Sequence, residues 1–127
     1  MDLPEENPDF VALSARPLAV LWTMSLTGEI TEVSDSILQV RGITVEESKS
    51  QPMDQMLSQE AMRKTLGYFE EFSRAIIAGE APGNFRAELD YLHKDGSLVP
   101  FDVMAIPVFG PDGTVTELRG VSAPIGL

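Results

Sequence analysis

The sequence predicts an α+β fold: a five-stranded antiparallel sheet with short helices and one long helix packed on one face. Three observations predict it. From Phe85 to Val121, three extended runs are separated by two turns, Lys94-Asp95-Gly96 and Gly110-Pro111-Asp112-Gly113. Between Ser58 and Ala78, apolar residues recur with the period of a helix. Near the N-terminus, two apolar runs flank the turn Ser25-Leu26-Thr27-Gly28. Asp-Gly between apolar runs signals a hairpin, because the tight turns that match strand twist need the positive φ that Gly supplies without steric cost.

The elements follow in order. Met1 to Asn7 is acidic and proline-bearing, and residues 1–9 read as a flexible segment ahead of a single domain spanning 10–127. Pro8 to Leu13 can form a short helix. It must end before Pro17, since the residue preceding a proline disfavours the α region. Leu18 to Met24 and Glu29 to Val33 make an N-terminal hairpin. Ser34 or Asp35 can cap a helix carrying Ile37, Leu38 and Val40, which Gly42 stops. Thr44-Val45-Glu46-Glu47 is a capping box, in which a Thr hydroxyl and a Glu three residues later satisfy free amides at a helix start. Gln51 to Leu57 holds a further short turn.

The long helix begins at Ser58, with Met62, Leu66, Phe69, Phe72 and Ile76 on its apolar face and Gly79 at its stop. In the first run of the meander, Phe85, Ala87, Leu89 and Tyr91 alternate with Arg86, Glu88 and Asp90, the two-residue period of a half-buried strand.

Composition narrows the function. The 127 residues suffice for one domain with one core. No apolar run approaches the roughly 20 residues that span a bilayer, so no membrane role is expected. A net charge of −11 repels phosphate backbones, which argues against nucleic acid as a partner. There are no cysteines, so disulfides, thiolate metal ligands and a cysteine-linked chromophore are ruled out, and a cytoplasmic setting fits. The pairs Glu46-Glu47 and Glu70-Glu71 are neighbours on helices, so their side chains diverge. His93 with Asp95 is a turn and no dyad, and there is no phosphate-binding glycine loop. No enzyme activity, no catalytic residue and no metal site are expected.

The segment His93-Lys94-Asp95-Gly96-Ser97-Leu98-Val99-Pro100-Phe101, then Ile106-Pro107-Val108, Asp112-Gly113 and Arg119-Gly120-Val121-Ser122, resembles the PAS (Per-Arnt-Sim) sensory domain family. Gly28-Glu29-Ile30 followed by Val33 resembles the family's first hairpin, with Ser34 where an Asn is common. The family's closing Asp-Ile-Thr is here Pro124-Ile125-Gly126, and its Asp near the end of the first strand is Ser25.

The resemblance implies a PAS-like sheet with its helices on one face. It also implies a cytoplasmic sensor in two-component or transcriptional regulation, which binds a small, mostly apolar ligand and relays a conformational or dimerisation change to an effector domain or partner protein. The alternative is a ligand-free dimerisation module. Haem-binding members carry an axial His on the long helix, where this chain has none, and His93 is its only histidine. Neither haem nor noncovalent flavin is expected as a cofactor.

The pocket candidates are Trp22, Met24, Met53, Met56, Met62, Leu66, Phe69 and Tyr91. Methionine fills irregular, adaptable spaces, and Met53, Met56 and Met62 lie where the family closes its pocket. On the other face of the sheet, the run from Val103 to Phe109 fails to alternate: Met104, Ile106 and Val108 face one way, Val103, Ala105 and Phe109 the other. One face would meet water as a contiguous apolar patch, which monomers rarely tolerate when it is large. The reading is a homodimer on that face, with Phe10, Val11, Leu13, Met104, Ile106 and Val108 in the interface. Its rival is a monomer shielded by its own N-terminal segment.

Overall fold

The structure, a computed structural model, describes residues 7–126. The Asn7 side chain accepts from the amides of Asp9 and Phe10, and Pro8 occupies the first turn of helix α1, Pro8–Ser14. An Asn cap and a Pro at the start are strong helix initiators. The expected boundary between a flexible segment and the domain, after residue 9, therefore falls inside a capped helix. The rest of that expected segment, residues 1–6, lies outside the described residues.

The N-terminal hairpin is β1, Val20–Met24, and β2, Ile30–Val33. Helix α2, Ser36–Arg41, ends at Gly42, whose φ of 73° is the left-handed stop that Gly permits. A Cβ there would also lie 2.9 Å from Cε1 of His93, so a larger residue would have to push that ring aside. Helix α3, Val45–Ser50, opens with the expected capping box: Thr44 accepts from the amide of Glu47, and Glu47 accepts from the amide of Thr44. A single 3-10 turn, Met53–Gln55, precedes helix α4, Gln59–Ile77, capped by Ser58.

The meander is β3, Phe85–Leu92; β4, Leu98–Phe109; and β5, Val115–Pro124. Both of its turns use one device. Asp95 accepts from the amide and hydroxyl of Ser97 at 2.9 and 2.6 Å, and Asp112 accepts likewise from Thr114 at 3.1 and 2.7 Å. The glycine that follows each Asp takes positive φ.

The five strands form one antiparallel sheet in the order β2-β1-β5-β4-β3. The N-terminal hairpin therefore docks beside the last strand, Val20 opposite Ser122 and Met24 opposite Leu118. One face of the sheet builds the main core with α2, α3 and α4: Phe101 and Val103 are fully buried among Val20, Ile37, Val40, Ile43, Met56, Leu57, Ala61 and Leu89.

Helix α4 presents a different stripe from the one its large apolar residues suggested. Ala61 and Thr65 are its buried residues, whereas Leu66 is 53% exposed and Ile76 is also exposed. The small Ala61 and Thr65 let the helix lie close against β3, and the Thr65 hydroxyl is satisfied by the carbonyl of Ala61 at 2.9 Å. Tyr68, Phe69 and Phe72 then fall at the margin, half-buried.

Helices do not keep to one face. Helix α1 lies on the other, where Phe10 and Leu13 form a second core with Met104, Ile106, Val121 and Ala123. Phe10 and Leu13, three apart, sit on one side of α1. The patch that the strand pattern left bare is covered by the chain's own helix. Four of the six residues expected between two copies are thus buried within one chain; of the others, Val108 is half-buried and Val11 exposed. Arg16, just past α1, locks the seat: it donates to Pro124 O at 3.1 Å and pairs with Asp102 at 3.4 Å.

Candidate functional site

A cavity of about 70 Å³ lies between the sheet and the helices. Each wall residue owes its place to a local rule. On β1, Val20, Trp22 and Met24 alternate inward. Opposite them on β5, Leu118 and Ser122 do the same. On β3 and β4 the inward set is Phe85, Leu89 and Tyr91 with Phe101, Val103 and Ala105. Ile37 and Arg41, four apart on α2, close one side. Met53 and Met56, around the 3-10 turn, close another with Thr65, Tyr68 and Phe69 of α4.

The wall is overwhelmingly apolar, and nearly all of its polar groups are already bonded. Trp22 Nε1 donates to Ser122 Oγ at 3.0 Å, and Tyr91 Oη shares a hydrogen bond with the same oxygen at 3.3 Å. Ser48 donates to the carbonyl of Val45, and Tyr68 to that of Gly83. Burial pushes the Tyr68 phenol up to about 12. Burial also raises Tyr91, against smaller opposing effects of the Ser122 hydrogen bond and the Arg41 charge. A water needs roughly 10–15 Å³ and two to four polar partners. The space is several times that, with few partners to offer, which suits an apolar guest better than water.

Of the eight pocket candidates, Trp22, Met24, Met53, Met56, Phe69 and Tyr91 line the cavity. Met62 packs against the main core without reaching the cavity wall. Leu66 points away, for the reason given above: Thr65 takes the inward position. His93 lies beyond the end of β3, against Gly42, with Nδ1 accepting from the amide of Asp95 at 3.1 Å, and it does not line the cavity.

Several wall residues escaped the sequence reading, Arg41 and Ser122 among them, as did Gly120 beneath Trp22. Arg41 stands four residues after Ile37, a spacing that puts it on the buried side of α2, but its charge masked the signal. Ser122 faces inward by the alternation of β5. Gly120, opposite Trp22, has the indole lying across it, so that a Cβ there would overlap the ring. A lone glycine inside a strand pattern is a sign of such close approach.

Among the described residues, no helix is long and apolar enough to cross a membrane, and no group of three or more His, Asp or Glu is placed to hold a metal ion.

No curated protein matches the sequence. Solved structures do match the fold. A PAS domain from Colwellia psychrerythraea is 20% identical with a TM-score of 0.65, over 85% of this chain and 86% of that one. The N-terminal domain of a diguanylate cyclase with a PAS/PAC sensor from Marinobacter aquaeolei is 19% identical with a TM-score of 0.67, over 84% of this chain and 94% of that one. A light-oxygen-voltage domain is 16% identical with a TM-score of 0.64, over 95% of this chain and 87% of that one. These likenesses concern the fold. A family model described as PAS domain matches residues 17–122. That match covers the N-terminal hairpin, helices α2 to α4 and all but the last two residues of the meander, and by it the chain belongs to the PAS domain family.

Proposed function

We propose that this PAS domain is a cytoplasmic sensory module. It takes a small, mostly apolar ligand into the cavity between helices and sheet, and it relays the resulting change to an effector domain or partner protein. It carries out no reaction of its own. The observation that supports this most is the apolar cavity of about 70 Å³ walled by three methionines, Met24, Met53 and Met56. Methionine walls repack readily around guests of different shape. A cavity of about 150 Å³ holds a benzene ring. This one is about half that, which speaks against haem or flavin and for a colourless protein.

Native mass spectrometry of freshly purified protein, together with its absorption spectrum, tests the reading. The expected result is a retained or readily added small mass and no visible band. A haem or flavin band in protein never exposed to added cofactor would sink it.

A second reading keeps the homodimer but moves its surface. Helix α1 leaves a strip of the outer face bare beside β1 and β5, where Leu21 is 45% exposed next to Thr23, Glu32, Glu117 and Arg119. A second copy seated there would bury Leu21 and Val11, and binding of the first ligand need not be involved. Sedimentation of the parent beside Leu21→Glu separates the two readings. A parent that remains monomeric at tens of micromolar ends the dimer.

A further inference from the structure

One residue of the cavity wall has most of its bonding capacity unspent. Arg41 exposes only 2% of its surface. Its Nε donates to Leu92 O and its Nη2 to Gln51 Oε1, each at 3.0 Å. A guanidinium carries five N–H donors and no acceptor, so three donors remain on Nη1 and Nη2. Both partners are neutral. None of the ion pairs among the described residues includes Arg41. The guanidinium carbon stands 5.3 Å from the centroid of the Tyr91 ring, but that phenol is buried, with its ionisation pushed up, and supplies no counter-charge. Burial pulls the Arg41 guanidinium below its ordinary value, with only the smaller effect of Tyr91 and no carboxylate to oppose it.

Arginine is almost never fully buried unless paired, because removing the charge from water costs free energy that an anion must offset. Its scaffold role, tying α2 to the end of β3 and to Gln51 just past α3, uses two donors. The other three have no partner among the described residues, and Arg41 lines a cavity whose remaining polar groups are bonded to one another or to backbone. An anion would complete the hydrogen bonding and balance the charge of this site.

We propose that the cavity binds a short-chain monocarboxylate, with its carboxylate on the free donors of Arg41 and its hydrocarbon end among Met24, Met53 and Met56. This rests on the sensory reading above and adds the chemical class of the ligand. One cation calls for one negative charge; a dicarboxylate or a doubly charged phosphate would leave a charge unpaired in an apolar space. The planar fork of a guanidinium matches a carboxylate through two parallel hydrogen bonds. The small volume limits the chain length, and the methionine wall sets how sharply.

The test compares acids with their neutral isosteres. Acetate, propionate, butyrate and valerate are titrated against the purified chain at pH 7 and constant ionic strength, beside butyramide and toluene, by calorimetry and thermal shift. The expected result is saturable one-site binding, with butyrate at least tenfold tighter than butyramide. Arg41→Met should remove that preference while Arg41→Lys keeps part of it. If Arg41→Met does not fold, the acid-against-amide comparison in the parent decides by itself. Equal binding of butyrate and butyramide, or binding of the neutral probes alone, overturns the carboxylate and leaves the cavity as an apolar site. A butyrate preference that survives Arg41→Met overturns the role of Arg41. No binding by any probe overturns this proposal and the ligand-binding reading together.

Discussion

The indole of Trp22 lies across Gly120, and its Nε1 donates to Ser122 two residues along the same strand. The glycine is what lets the ring reach both the cavity and that hydroxyl. Gly120→Ala should push the ring off the strand and break the Trp22–Ser122 bond, at a cost of about 1–3 kcal/mol, as for other overpacked sites. Trp22 is the only tryptophan, so its fluorescence reports the move directly. An unchanged emission spectrum with unchanged urea midpoint would mean that the ring does not lie there.

Leu13 anchors α1 to the outer face and is almost fully buried. Leu13→Ala should cost about 2–5 kcal/mol in denaturant unfolding, and it should raise hydrogen exchange in the amides of α1 before those of the sheet. A change within a few tenths of a kcal/mol would show that α1 contributes nothing to the fold.

Both tyrosines should resist ionisation. Burial raises Tyr68 to about 12 and raises Tyr91 as well. Folded protein at about pH 10, where a free phenol is half ionised, should show little tyrosinate absorbance, and the same protein in urea should show about half of the full signal. The sign for stability follows. The unfolded chain releases these protons first as pH rises, so the stability they contribute is intact below about pH 10 and falls as pH climbs toward the folded values. Early tyrosinate in the folded protein would place those rings in water.

Asp95 is held below the usual carboxylate range, first by the Ser97 hydroxyl and then by the Ser97 amide. A lowered carboxyl contributes stability that is present above its unfolded value, about 3.9, and is lost as pH falls through the folded value. Asp95→Asn keeps an acceptor for the turn but cannot titrate. The parent should be the more stable of the two at pH 7, and the difference should shrink as pH falls below the ordinary carboxylate value of about 3.9. A difference that stays constant across that range would assign the effect to the turn's geometry and not to its charge.

Ala105 is the smallest inward residue of β4 at the cavity. Ala105→Leu should fill part of the space, keep or raise the melting temperature as cavity-filling changes commonly do, and abolish any ligand-induced shift. A filled variant that still responds to ligand would place the binding site elsewhere.

Much of the fold was legible because each element announces itself over a short range. The Asp-Gly turns, the Thr44 capping box and the period of α4 are local signals, and local hydrogen bonds carry them out. What the sequence hid was the choice between neighbouring faces. Leu66 is the larger hydrophobe, but Thr65 is narrow enough for α4 to approach β3, and packing decided in favour of the small residue. The cover of the outer face was visible only as a need. That Phe10 and Leu13 meet it in the same chain depends on a helix whose start is set by Asn7, a residue assigned to flexibility. Six of the eight pocket candidates line the cavity, and strand alternation accounts for three of them, Trp22, Met24 and Tyr91. Arg41 was passed over because a charged residue on an apolar face reads as noise until its partners are seen.

The pairing of Val20 with Ser122 has a mechanical consequence. The first strand begins where the last one ends, about one strand spacing away, roughly 5 Å, and Arg16 ties the chain just before the one to Pro124 at the tip of the other. A host protein could accept such a domain in a surface loop while parting its own ends by little more than that spacing. The same arrangement fixes how the domain would yield under tension. Its ladder bonds run perpendicular to the strands, so a pull applied between the two ends works along them and opens them one pair at a time, like a zip. Resistance to such a pull would begin at the Arg16 clasp and the grip of α1 and pass next to the buried Val20–Ser122 pair, so the two cores flanking the sheet would feel it early.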